Sequence, residues 1–277
     1  MKKITFIVLS YNRPCQLDAA ISSMKKFFVN WQNHNIVVLY RSTNDKFKQG
    51  YELVKQRHND LIYVEENNFR INMDFILNTY KTDYLVMMCD DDIWKEPFNT
   101  EDHDFQFFDL NKDKGICCFS LRMHPRISKC YTAGNIDTHP PKQFLHENPY
   151  VWQWTNEELK GDWNYPNSVD CHIFVYDDMY NLLMRRDIVS VSHIEVIISQ
   201  LAPRSMKPFM ACSNKSAIFN IPLNAVQEIC RNINMGITID YLNEKYLEGY
   251  IIDIDNYVGF DNISPHQELP ITLKRIT

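Results

Sequence analysis

Residues Tyr84 to Trp94 read YLVMMCDDDIW, an unbroken apolar run that ends in three consecutive carboxylates, Asp90, Asp91 and Asp92. A strand apolar on both faces belongs inside a parallel sheet covered by helices. The carboxyl ends of such strands are where open α/β sheets bind ligands. Three adjacent acids repel one another unless a cation neutralises them. Hard divalent ions such as Mg²⁺ or Mn²⁺ take carboxylate oxygens and keep positions open for substrate phosphates. The plainer reading is a solvated acidic turn that caps the next helix. The apolar strand before the triplet favours the metal site.

Outward from this stretch, short β-type runs alternate with helical patterns over the first 125 residues, which predicts an α/β fold with a largely parallel sheet. Strands are expected at Ile4 to Leu9, Ile36 to Tyr40, Leu61 to Val64, Tyr84 to Met88 and Ile116 to Leu121. Leu17, Ile21, Met24 and Phe28 repeat at helical spacing, and a second amphipathic run covers Ile71 to Tyr80. After residue 125 the chain turns rich in Pro, His, Asn and Trp (HPPKQFLHENPYVWQW, GDWNYPNS), which reads as long functional loops. Beyond them come a strand at Cys171 to Tyr176, helices near Asp177 to Met184 and Ser192 to Leu201, and a strand at Ala217 to Ile221. The tail from Tyr241 holds a helix and then a polar stretch. No linker or repeat interrupts residues 1–277, so one continuous domain is expected.

The 277 residues are 45% hydrophobic and 13% aromatic, enough for a sizeable core, which excludes disorder, collagen and coiled coil. A net charge of −6 with mixed signs offers no basic stripe, so no nucleic-acid partner is expected. The eight cysteines, Cys15, Cys89, Cys117, Cys118, Cys130, Cys171, Cys212 and Cys230, form no CxxC pair and read as reduced and structural. The apolar start ITFIVL stops at Ser10, too short for a signal peptide. No later run reaches the ~18 apolar residues of a membrane helix. A cytoplasmic location is expected; peripheral membrane association leaves no mark in such a sequence.

The second informative stretch is Ile4 to Pro14, ITFIVLSYNRP, a strand that runs into a polar elbow and then a helix opened by Pro14. It sets Ser10, Tyr11, Asn12 and Arg13 at the same sheet edge as the acidic triplet. An aromatic ring, an amide and a guanidinium there suit a base, a ribose or a diphosphate, though such an elbow is also an ordinary turn. Together the two stretches resemble glycosyltransferases of the GT-A fold, especially the inverting family 2 type, with a YN-R/P elbow and a later strand ending in a DXD-type motif. The resemblance covers roughly residues 4 to 125 well and the rest loosely. It implies a Rossmann-like, mainly parallel sheet flanked by helices, a nucleotide-sugar half over 1–125 and an elaborated acceptor half over 126–277.

By this resemblance Ser10, Tyr11, Asn12 and Arg13 contact the nucleotide, joined by Asp90 and Asp91, and Asp90 and Asp92 hold Mn²⁺ or Mg²⁺. Arg70, in Asn67-Asn68-Phe69-Arg70-Ile71-Asn72, is a candidate base or phosphate contact or else a surface arginine. Family 2 members commonly carry an acid after the second strand. This chain reads Tyr40-Arg41-Ser42-Thr43-Asn44-Asp45, which passes base recognition to Tyr40 or Ser42. An inverting enzyme needs a carboxylate to deprotonate the acceptor hydroxyl. The resemblance puts it near Ser190 to Val196, where the family's Glu-Asp pair is missing. Glu195 is the candidate, with Asp170 and Asp162 as runners-up; the bland alternative is an exposed acid in a helix's first turn. His266 could return from the tail to the metal, as in some GT-A enzymes, or be an exposed tail residue.

Trp152, Trp154, Asp162 and Trp163 mix aromatic faces with polar groups, which suits a sugar pocket as well as a core. The expected activity is therefore transfer of a hexose from UDP-galactose or UDP-glucose to a saccharide hydroxyl, with inversion, in glycan or polysaccharide synthesis, either alone or as one module of a larger enzyme. Two alternatives remain open. A nucleotidyltransferase also joins an α/β sheet to acidic metal ligands but favours a Gly-rich loop that YNRPCQL lacks. A carbohydrate-binding protein of the same fold without turnover fits the missing Glu-Asp pair.

Overall fold

The computed structural model describes residues 2–184, 186–225 and 233–276, so Cys230 lies outside the described residues. The first half runs β1 (Ile4–Tyr11), α1 (Pro14–Phe27), β2 (Asn35–Arg41), α2 (Asp45–Arg57), β3 (Ile62–Glu65), α3 (Phe69–Thr79), β4 (Tyr84–Cys89), β5 (Asp92–Trp94), α4 (His103–Asn111) and β6 (Ile116–Ser120). The second half continues with β7 (Lys129–Cys130), β8 (Ile136–Asp137), β9 (His146–Glu147), β10 (Tyr150–Gln153), β11 (His172–Val175), α5 (Tyr176–Met184) and α6 (Val191–Ser205). It closes with β12 (Phe209–Cys212), β13 (Ile218–Asn220), α7 (Ile239–Leu247), β14 (Tyr250–Ile252) and β15 (Leu273–Arg275).

The central sheet has the order β3-β2-β1-β4-β11-β6-β12-β10-β9. β1, β2, β3 and β4 are mutually parallel, as are β6 and β12, while β11 runs antiparallel between β4 and β6. This is the mostly parallel, helix-flanked sheet that the alternating pattern predicts. Strands from both halves of the chain interleave in it.

The alternation of strand side chains sorts the core into two layers. Ile4, Phe6 and Val8 of β1 pack with α1, α2, α4 and α7, through residues such as Leu17, Tyr51, Phe105 and Tyr246. Ile7 and Leu9 pack on the opposite face with α3, α5 and α6, through Met73, Met179 and Ile198. Both faces of β1 and β4 are thus covered, which is why their sequences are continuously apolar.

The structure adds elements that the sequence reading leaves out. α2 (DKFKQGYELVKQR) buries only Phe47, Gly50, Tyr51 and Val54, so its apolar stripe is thin among charges, yet Asn44 caps it by accepting from the Phe47 N–H. α4 buries only Phe105 and Phe108. Tyr150–Gln153, read as part of a loop, is β10 of the central sheet, paired antiparallel with β12. No helix among the described residues is long and apolar enough to cross a membrane.

Candidate active site

Parallel pairing of β1 with β4 sets Leu9 opposite Cys89, so the elbow after β1 and the acidic triplet leave the sheet side by side. Asn12 takes the turn in the left-handed region, φ +56°, which asparagine tolerates better than most residues. Its side chain staples the elbow to the end of β2, accepting from Thr43 N–H and donating to Thr43 Oγ1. Arg13 precedes α1, and its side chain makes no capping bond to the helix. Instead its guanidinium donates to Asp90 Oδ1 at 2.9 Å and Asp91 Oδ2 at 3.0 Å, and also to the Asn224 carbonyl.

Ser10 Oγ donates to Asp90 Oδ2 at 2.8 Å and lies 2.7 Å from the Tyr51 hydroxyl, which accepts from the Arg13 N–H. Burial pushes the Asp90 carboxyl up to about 6, against the pull of Arg13. Burial would weaken the Arg13 charge, but Asp90 and Asp91 outweigh it and hold the guanidinium firmly protonated. Asp90 is therefore committed to Ser10 and Arg13. Tyr11 leans on Arg41, with the guanidinium carbon 5.8 Å from the ring centre, and Arg41 lies 3.7 Å from Glu66.

Asp92 opens β5, which pairs with β13 so that Asp92 faces Asn220. The Asn220 amide donates to both Asp91 Oδ1 (2.7 Å) and Asp92 Oδ1 (3.1 Å), and the Cys89 N–H donates to Asp92 Oδ2 (2.8 Å). The tail segment around His266 docks on β13: Asn220 N–H donates to the Pro265 carbonyl and Gln267 N–H to the Asn220 carbonyl. That docking carries His266 Nε2 to 3.1 Å from Asp170 Oδ2.

Asp170 precedes Cys171, whose φ of +57° is a strained backbone for a residue with a side chain. Cys89 Sγ and carboxylate oxygens of Asp92 and Asp170 lie within 4.8 Å of one another. Burial and the negative charge of Asp170 push Asp92 well above the usual carboxylate range. Burial acts on Asp170 as well, but the His266 hydrogen bond and the Arg122 charge outweigh it and keep that carboxyl low. Of the two, Asp92 is the carboxyl pushed up, because its hydrogen-bond donors are neutral while Asp170 faces His266 and Arg122.

Glu195, in the first turns of α6, accepts from Val169 N–H at 3.3 Å, beside Asp170. Burial, then Asp170, raises its carboxyl to about 7. Ser10, Arg13, Asp90, Asp91, Asp92, Asp170, Glu195 and His266 thus meet along one sheet edge. A donor set of two carboxylates and an imidazole fits Mn²⁺ or Mg²⁺, and a cation there would relieve the crowding that forces Asp92 up.

Other candidates turn out to do different work. Arg70 donates to Asp74 and to the carbonyls of Leu183, Met184 and Arg186, so it ties α3 to the C-terminal end of α5 and commits four of its five N–H groups there. Tyr40 is buried between Tyr51 and Tyr63; Ser42 is half-buried next to the Thr43 staple. Trp152 and Trp163 are 0% exposed and Trp154 6%. Their indole N–H groups donate to the Trp163, Ile127 and Lys207 carbonyls, so these rings are core and not a sugar platform. Asp162 is closed off in a 2.6 Å ion pair with buried Arg122.

Three residues escaped the sequence reading: Tyr51, Asn220 and Arg122. Arg122 lies two residues past β6 at the same sheet edge, 3.5 Å from Asp170, so the rule that finds the elbow after β1 would also have found it.

No protein-family model matches the chain. In sequence it is similar to the bifunctional glycosyltransferase pgtA of Dictyostelium discoideum, 22% identical over 285 residues, spanning 92% of this chain and 36% of that protein. In structure it is similar to S. aureus TarS, with a TM-score of 0.51 at 14% identity over 79% of this chain and 36% of that one. The chain therefore spans about a third of the length of each. Its sequence is similar to that of a glycosyltransferase, and its sheet is the GT-A-like fold.

Proposed function

We propose that the chain is a metal-dependent glycosyltransferase that moves a hexose from a nucleoside-diphosphate sugar, with UDP-galactose or UDP-glucose as donor, to a saccharide hydroxyl in a single inverting displacement. The observation that carries this reading is the convergence of the Ser10–Arg13 elbow and the Asp90–Asp92 turn with Asp170, Glu195 and His266 at one sheet edge. Tyr11, Asn12 and Arg13 hold the nucleotide, and Asp90, tied to Ser10 and Arg13, orients the guanidinium. Asp92, Asp170 and His266 would hold Mn²⁺ or Mg²⁺, which when bound stabilises the charge of the departing diphosphate.

Glu195 takes the acceptor hydroxyl proton as that oxygen bonds to the anomeric carbon, and the electron pair of the breaking bond leaves with the diphosphate. A carboxyl near 7 is matched to that task, since it is ionised in part at neutral pH and basic enough to accept a proton. The free thiols of Cys15, Cys89, Cys117, Cys118, Cys130, Cys171 and Cys212 support a cytoplasmic location. The extent of the pgtA match supports action as one module of a larger enzyme.

The test is release of UDP from UDP-hexose in the presence of Mn²⁺. Turnover in the wild type that drops by about 10³-fold in Asp92→Ala supports the assignment. Equal release by both proteins rules out the role given to the acidic triplet.

A further inference from the structure

The donor set at the edge of β4 contains one group that a site for Mg²⁺ or Mn²⁺ does not need. Cys89 Sγ lies within 4.8 Å of the ligand oxygens of both Asp92 and Asp170, and these three residues come from β4, the start of β5 and the turn before β11. His266 stands beside this cluster on its Asp170 side, its Nε2 3.1 Å from Asp170 Oδ2 and its Nδ1 buried without a hydrogen-bond partner, although it lies outside the set of three whose donor atoms are within 4.8 Å of one another. Thiol, two carboxylates and imidazole are the mixed, borderline-soft donors that favour Zn²⁺ or Co²⁺ over Mg²⁺. A second thiol, Cys171, points at Asp92 Oδ2 from 3.6 Å but is not part of the cluster.

We propose that Cys89 is a sulfur ligand in this site, so that Cys89, Asp92, Asp170 and His266 bind a thiophilic divalent ion such as Zn²⁺ more tightly than Mg²⁺. The inference rests on the transferase reading only in sharing its metal-binding residues. On binding, the sulfur–metal bond forms as the Cys89 thiol proton passes to buffer, and no electrons change hands. Zn²⁺ or Co²⁺ then occupies the position assigned to Mn²⁺, and the ion supplied decides whether sulfur is engaged.

Three measurements test this on the full chain. Co²⁺ titration of the wild type gives a near-ultraviolet sulfur-to-cobalt band that is lost in Cys89→Ser and retained in Cys171→Ser. Cys89→Ser also loses at least about tenfold in Zn²⁺ affinity while Mn²⁺ affinity changes less than about twofold. Zinc-edge X-ray absorption on the wild type, which needs no variant to fold, shows one sulfur scatterer at about 2.3 Å. Wild-type protein that binds Mn²⁺ but surrounds zinc with oxygen and nitrogen alone overturns the sulfur proposal and leaves the transferase reading standing. A band that disappears with Cys171→Ser assigns the wrong thiol and also overturns it. Protein that binds neither ion overturns this proposal together with the metal role in the transferase reading.

Discussion

The two halves of the chain reach the same sheet edge by different routes. Residues 4–94 supply Ser10, Arg13 and Asp90 to Asp92 from turns on adjacent parallel strands, where β1 and β4 pair Leu9 with Cys89. Residues 120–266 supply Arg122, Asp170, Glu195 and His266 from a strand end, a strained turn, a helix and a docked tail. In the first half the chemistry sits beside the apolar strand that positions it. In the second half each group acquires its neighbours only when the chain closes. In the proposed mechanism the first half presents the nucleotide and the second supplies the base and the remaining metal ligands.

The sharpest way to break this division is Glu195→Gln. It keeps the Val169 contact in shape but removes the base, so kcat falls by about 10²- to 10⁴-fold while donor affinity measured by calorimetry stays within a few-fold. A large loss of donor affinity instead would move Glu195 into the nucleotide half. Next in size is Arg13→Met, which strands Asp90 and Asp91 without the guanidinium that faces them from side chains 9% exposed or less on the Arg13–Asp90 pair. Breaking such a buried pair costs about 3–5 kcal/mol. Urea denaturation reads this as a lower midpoint at unchanged slope, and a neutral result would mean that Arg13 is free in solution.

The pH dependence sharpens the role of the second half. Burial and Asp170 raise Glu195 from an ordinary 4.5 to about 7. Between those values the folded chain binds more protons than the unfolded one, so this contribution to stability is complete below about 4.5 and is lost as pH rises through 7. Activity runs the other way: kcat/KM rises as pH passes 7 and Glu195 ionises, and a flat acid limb would remove Glu195 as base. The smallest effect belongs to Trp163→Phe, which deletes the indole hydrogen bond to the Ile127 carbonyl. It costs about 1 kcal/mol and leaves acceptor KM unchanged, whereas an acceptor KM raised by tenfold would restore the ring to the sugar pocket.

The same division explains what the sequence made legible. The apolar runs at Ile4–Leu9 and Tyr84–Met88 announce buried parallel strands, and the polar residues after them fall at the ligand edge by rule. Arg70 and the tryptophans were misread because local composition does not say which way a side chain points. Trp152 sits on β10 with its ring in one core layer while its neighbour Val151 is buried in the other, so the strand is covered on both faces and shows no polar–apolar alternation within its Pro- and His-rich context. α2 was missed because Phe47, Tyr51, Leu53 and Val54 are its only aromatic and aliphatic residues among charges, although Tyr51 turns out to anchor Ser10. The meeting of Asp170 with His266 depends on tail docking against Asn220, which no local pattern encodes.

The most direct test of a metal-dependent nucleotide site built from both halves is the melting temperature with UDP-hexose, with and without Mn²⁺, in the wild type, Asp92→Ala and His266→Ala. A ligand that binds only the folded state raises this temperature. The account predicts a UDP-hexose shift that requires Mn²⁺ in the wild type, vanishes in Asp92→Ala and weakens in His266→Ala. A shift of equal size without metal, or none with any nucleotide sugar, would contradict it.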